Sequence, residues 1–313
     1  MKMQDQRYGI EIEMTGITRE NAAKVVAAHY HTGNAYYEGG CYRTFIAKDT
    51  KGRTWKLERD SSISPEVKSG SENSKHYASE DYQTEMVSPI LTYDDLEDLQ
   101  QIVRELREKG AFSNNSCGIH VHVDGANHSP LSLKRLVCFM IARQDLIYDS
   151  LEIGQRANRW CHKLNENILK EMKKNAVLDR ETVERIWYGR ANDGYCGGIN
   201  HEHYNETRYH GINLHAFFTK GTVEFRLFNG TLHAGKIKAY IQFCLAVSAW
   251  SINSQEHIVF RSMKNYTPAQ KVTIMRNILT NRLGLTGNEF RTCRLHLMTP
   301  LKKAAGTVCR DAA

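Results

Sequence analysis

The chain has 313 residues, 41% of them hydrophobic and 25% charged, which suits one large or two small soluble domains with a proper core. No apolar run approaches the roughly 18 residues of a membrane helix. The opening MKMQDQRYGIEIEM lacks a signal peptide's apolar stretch, so a cytoplasmic protein without membrane insertion is expected. The net charge of +7 comes from Lys and Arg spread along the chain, so charge alone does not select nucleic acid, nucleotide or acidic polymer as the partner.

In chain order, residues 8–14 (YGIEIEM) alternate as a strand, and Thr18 can N-cap a helix running to about His29. Runs at 41–47 and 54–60 flank Lys51-Gly52 as a hairpin. Residues 61–81, polar and rich in serine, form an excursion from the sheet. Residues 83–88 make a short strand stopped by Pro89. Helical spacing of Leu96, Leu99, Ile102, Val103 and Leu106 predicts a helix over 94–109, ended by Gly110. Residues 118–124 read as a strand and 132–151 as a helix. The polar stretch 155–207 holds a helix near 180–188. Strands return at 211–218 and 222–228, followed by helices at about 236–251 and 268–284. Hairpin-linked strands with interspersed helices give an α+β fold with a largely antiparallel sheet. The expected organisation is a catalytic domain over 1–260, with the excursion at 61–81 and a substrate-shaping insert at about 155–207. A helical extension, 261–313, packs on the same domain.

Because strand residues i and i+2 share a face, acids recur on one side of several strands. Glu11 and Glu13 share a face in 8–14, as do Lys56, Glu58 and Asp60 in 54–60. His120, His122 and Asp124 do so in 118–124, and Glu224 and Arg226 in 222–228, while Glu85 adds another carboxylate. One solvated sheet face would explain any single strand. Acids recurring on neighbouring strands repel one another, and a hard divalent ion would offset that.

Cys117, His120 and His122 also suggest zinc, although Cys117 and His120 should lie on opposite strand faces. His201-Glu202-His203 falls in a loop and could take up metal adventitiously, and the glycine pairs 39–40 and 197–198 are turn candidates. The eight scattered cysteines lack a C-x-x-C pair and read as buried thiols. Neither a G-x-S-x-G elbow nor a phosphate loop is present. An ATP enzyme of this kind would hold phosphates through metals and arginines. Two other classes stay open: a metal-dependent hydrolase using His120 and His122, and a basic nucleic-acid-binding protein. An acidic sheet face argues against the second.

YGIEIEM (8–14), WKLERDSSI (55–63), TEMVSPIL (84–91), GIHVHVD (118–124), RYHGINL (208–214) and TVEFRLFNGTL (222–232) together resemble, in order, the amidoligase family, relatives of glutamine synthetase and glutamate–cysteine ligase. The resemblance implies a curved antiparallel sheet with the active site on its concave face and helices packed on the other. It further implies ATP with Mg²⁺ or Mn²⁺, and amide formation between a carboxylate and an amine through an acyl phosphate. Peptides, amino acids and cell-wall precursors are the substrate types it suggests, with no nucleic acid expected. Glu11, Glu13, Asp60, Glu85, His120 and Glu224 match its metal-binding positions. Glu13, Glu224 and Arg226 match catalytic ones, and His120, Arg208, Asn213 and Arg226 match nucleotide or substrate contacts.

Overall fold

A computed structural model of the chain describes all residues except 34, 70–73, 176–177, 191–197, 256–262, 264 and 308–313. Cys196, Gly197 and Cys309 therefore lie outside the described residues. The chain divides into two compact units, one made of Arg7–Val121 with Phe228–Lys238, the other of Met1–Gln6, His122–Leu227 and Ala239–Ala313.

The Arg7–Val121 unit opens with β1 (Tyr8–Met14), then α1 (Arg19–Tyr30), whose cap is Thr18 accepting from the Asn21 N–H. There follow β2 (Tyr36–Gly39), β3 (Thr44–Lys48), β4 (Thr54–Glu58), β5 (Glu66–Ser69), β6 (Ser74–Tyr77), β7 (Thr84–Val87), α2 (Leu96–Glu108) and β8 (Gly118–Asp124). Its sheet has the order β2-β3-β4-β7-β1-β8, and the pairings from β2 through β1 are antiparallel. The register explains why one face is core. Leu57 pairs with Met86 and Met86 with Ile12, a fully buried apolar row. That is the face α1 covers: Trp55, one alternation along β4, meets Tyr30 of α1 at 6.1 Å between ring centroids. Moving the register by one residue gives the opposite face, where Glu58 pairs with Glu85 and Glu85 with Glu13.

Two expectations change in this unit. The strand expected over 54–60 stops at Glu58, so Asp60 sits in a turn whose Oδ1 accepts the Ser62 N–H at 2.7 Å. The excursion 61–81 is more ordered than its serine content suggests. It holds the β5–β6 hairpin, tied to the end of β1 by the Glu66 N–H donating to Thr15 Oγ1 and the Gly16 N–H donating to the Glu66 carbonyl.

The second unit takes up the end of β8 and continues with α3 (Pro130–Leu151), α4 (Asn167–Lys174), α5 (Arg180–Arg190), β9 (Ile212–Asn213), α6 (His215–Thr219), β10 (Thr222–Asn229), α7 (Ala234–Asn253), α8 (Pro268–Asn277) and α9 (Arg291–Ala304). Its strands run in the order β8-β10-β9, and β9 and β10 are antiparallel. The strand expected over 211–218 is only two residues long, because the chain turns into α6 at His215. The α8–α9 tail is held on α3 by Lys271 pairing with Asp149 at 2.6 Å and by Ser150 Oγ donating to the Leu297 carbonyl. Cys138, Cys161, Cys244 and Cys293 are buried free thiols, as is Cys117 of the other unit, whereas Cys41 is free and exposed. No helix among the described residues is long and apolar enough to cross a membrane.

Candidate active site

The expected metal acids of the first unit come together on the face opposite α1. Glu11, Glu85 and His120 each offer a ligand atom within 4.8 Å of the others, and Glu13, Asp60 and Glu85 do the same. His120 projects from β8 with Nδ1 at 2.8 Å from Glu11 Oε2 and Nε2 at 3.6 Å from Glu13 Oε1. That Nε2 is buried and makes no hydrogen bond among the described residues. Glu13 accepts the Gly118 N–H at 2.6 Å, which fixes its carboxylate against the start of β8. Sequence reasoning missed Gly118, although a glycine opening the GIHVHVD strand was its signal.

Electrostatics set this cluster apart from an ordinary polar face. Burial raises the Glu85 carboxyl well above the usual glutamate range, and Glu11, Glu13, Asp60 and Glu58 push it further in the same direction. Glu85 therefore resists ionisation until a positive charge arrives. A row of carboxylates with a buried imidazole nitrogen at its edge fits a divalent cation, and its preponderance of oxygen donors suits Mg²⁺ or Mn²⁺.

The second unit gathers the remaining expected residues around Glu224 on β10. Arg226 Nη1 donates to Glu224 Oε1 at 2.6 Å, and Asn213 Nδ2 donates to Oε2 at 2.7 Å across the β9–β10 pair. His122 places Nε2 at 4.0 Å from Glu224 Oε1, while its Nδ1 lies 3.0 Å from Thr222 Oγ1. The Arg226 guanidinium also stands 5.9 Å from the Tyr209 ring centroid. Glu224, Arg226 and Asn213 are all buried. Both Glu224 oxygens carry partners, so this carboxylate already orients Arg226.

A pocket of about 250 Å³ opens at this group, lined by Arg208, Asn213, Glu224 and the histidines 201, 203 and 215. Arg208 is anchored by its bond to the His203 carbonyl at 2.7 Å and flanks the rings of Tyr204 and Tyr209. His201 is held by Glu184 at 2.6 Å. Burial, reinforced by Arg208, drives the His215 imidazole down to about 4, and the Tyr188 hydroxyl lies 2.7 Å from its Nδ1. His215 is thus a neutral hydrogen-bonding group near pH 7. Sequence reasoning missed it because it expected the segment to be a strand.

Histidine alone is a poor guide to function here. His128 is also buried and has both ring nitrogens bonded, to Ser132 Oγ and Ser248 Oγ; burial holds it down to about 4. It is a satisfied core residue, whereas His120 carries an orphan nitrogen into a cluster of acids.

Among protein families, the model of one described as "Putative amidoligase enzyme" matches residues 4–248, a span that contains every acid, histidine and arginine named in both groups. A search of curated proteins finds no match.

Proposed function

This chain belongs to the amidoligase family of ligase-type enzymes, and we propose that it is an ATP-dependent carboxylate–amine ligase working through an acyl phosphate. The observation that carries the reading is the Glu58–Glu85–Glu13 row with His120 at its edge. It is a costly arrangement for a fold to keep, and a magnesium-bound nucleotide explains it.

In this reading the domain spans 1–260, with 261–313 as a helical extension, on a sheet of the glutamine synthetase and glutamate–cysteine ligase kind. Glu11, Glu13, Asp60, Glu85 and His120 would hold Mg²⁺ or Mn²⁺, and Glu224 is a further acid for that role. A bound ion would neutralise phosphate charge as the γ-phosphoryl group passes from the co-substrate ATP to the carboxylate. Arg226, preset by Glu224 and Asn213, presents a planar fork to phosphoryl oxygens. Arg208 and Asn213 orient the nucleotide or substrate. The amine then attacks the activated carbonyl, phosphate departs, and a site carboxylate such as Glu13 takes the amine's proton. Peptides, amino acids and cell-wall precursors are the substrate types the reading favours, in a cytoplasmic setting.

The test is product identity. Acidic peptides and amines screened in pairs with Mg-ATP should release ADP and phosphate in step with amide formation. AMP and pyrophosphate from a productive pair would mean adenylation and would overturn the acyl-phosphate route.

A further inference from the structure

On the Arg7–Val121 unit, a second and larger pocket of about 770 Å³ is lined by Gly16, Val67, Lys68, Tyr82, Arg107, residues 109–113 and residues 230–233. Its volume suits a ligand of short-peptide size. The lining holds three cations, Lys68 on β5, Arg107 near the end of α2, and Lys109, with no aspartate or glutamate among them. Neither the Arg107 nor the Lys109 side chain makes a hydrogen bond or ion pair with any described residue, and Lys68 has only the Phe112 ring beneath it, at 4.8 Å. Surface lysines and arginines are ordinary singly. Three converging on one concavity without an opposing acid repel each other unless an anion joins them.

Val67, Phe112 and Leu232 add apolar surface between the charges, which matches an amphipathic ligand better than a bare polyphosphate. The wall is built to close tolerance: Gly16 has φ +79°, and a Cβ there would lie 2.4 Å from the Gly110 carbonyl oxygen and 2.5 Å from the Phe112 ring.

The pocket is also joined to the acid row through the backbone. The Gly230 N–H on its lining donates to the Cys117 carbonyl at 2.9 Å, and the next residue, Gly118, donates its N–H to Glu13. Gly16 follows Glu13 by three positions. We infer that this pocket binds the carboxylate-bearing substrate as an acidic peptide, with Lys68, Arg107 and Lys109 gripping a carboxylate other than the one to be activated. Its role as a substrate site rests on the ligase reading above.

Calorimetric titration of the full chain tests this with three probes: the dipeptide Glu-Glu, the uncharged N-acetylated amide of Gln-Gln, and ATP with Mg²⁺. Glu-Glu should bind more tightly than its neutral counterpart. Arg107→Gln and Lys109→Gln, both exposed positions whose side chains hold nothing in the fold, should each weaken Glu-Glu binding roughly tenfold, the scale of one hydrogen bond to a charged group. Mg-ATP binding should not change. Equal binding of the acidic and neutral dipeptides, or Glu-Glu affinity indifferent to both substitutions, overturns the proposal. So does a loss confined to Mg-ATP, which would make the pocket a nucleotide-phosphate site. Failure of Mg-ATP to bind the unsubstituted chain would count against the ligase reading alone, since the Glu-Glu titrations read the pocket independently.

Discussion

Asp95 and Glu85 lie in the same unit and both lose hydration in the fold, yet they are held in opposite ways. Burial pushes the Asp95 carboxyl up, but hydrogen bonds from Arg53, Lys51 and Thr92 outweigh it and hold the group below the usual aspartate range. Arg53 grips it with two nitrogens, each at 2.9 Å, and Lys51 adds a third charged contact at 2.8 Å. Around Glu85 burial acts in the same direction, and the neighbours are four more acids. The first arrangement is how a fold keeps a carboxylate for its own stability. The second is a standing cost to the empty protein, and it makes sense where a cation completes the group. Both kinds of acid look alike in composition; only the partners distinguish them.

Substitution should separate the two sites cleanly. The largest effects are expected at the acid row and at the Glu224 group, where Glu13→Gln, Glu224→Gln and Arg226→Lys should each lower turnover roughly 10²–10³-fold, the range seen when one transition-state contact is lost. Thermal stability of Glu13→Gln should hold or rise, because the amide oxygen can still accept the Gly118 N–H while one repelling charge is gone. Variants that melt much earlier yet turn over normally would assign these groups to the scaffold. Next in size, Asp95→Ala should cost about 3 kcal/mol of stability in denaturant titration, since it leaves Arg53 with Asp49 as its remaining acidic partner. Its affinity for Mg-ATP should be unaltered.

A smaller effect sharpens the contrast through pH. In the folded chain Glu85 keeps its proton above the range where an unfolded glutamate loses it, so the fold binds more protons than the unfolded state there. Stability should therefore fall as pH rises from the ordinary glutamate range towards the raised value. Melting curves of metal-free protein should show that decline, and Glu85→Gln should flatten it. Metal binding must displace the Glu85 proton, so affinity for Mg²⁺ should increase with pH. A flat wild-type profile would mean that the row carries no such strain.

Much of this contrast could be read from alternation alone. Period two in YGIEIEM and GIHVHVD set Glu11, Glu13 and His120 on polar faces, and β8 runs over the expected 118–124. What alternation could not give was register: that Glu85 falls between Glu58 and Glu13 depends on which strands pair and how far each slides. Short apolar runs misled for a related reason. INLHAFF suits a strand or a helix equally, and the chain spends two residues on one and five on the other. The β5–β6 hairpin was hidden by its polarity, since β6 is exposed and the hairpin is fastened by the Glu66 backbone to the Thr15 hydroxyl and the Gly16 N–H rather than by an apolar face. The partners of Arg226 were visible only in part: Glu224 is two residues away, but Asn213 reaches the pair through strand pairing.

The most direct measurement is calorimetric titration of ATP into metal-free protein, repeated with Mg²⁺ and with Mg²⁺ on Glu85→Gln. If the acid row exists to complete a magnesium-bound nucleotide site, ATP should bind well with Mg²⁺ and poorly after chelation. The Glu85→Gln protein should fold normally and lose most of the Mg²⁺-dependent gain. Equal ATP affinity with and without the ion, unchanged by Glu85→Gln, would contradict it.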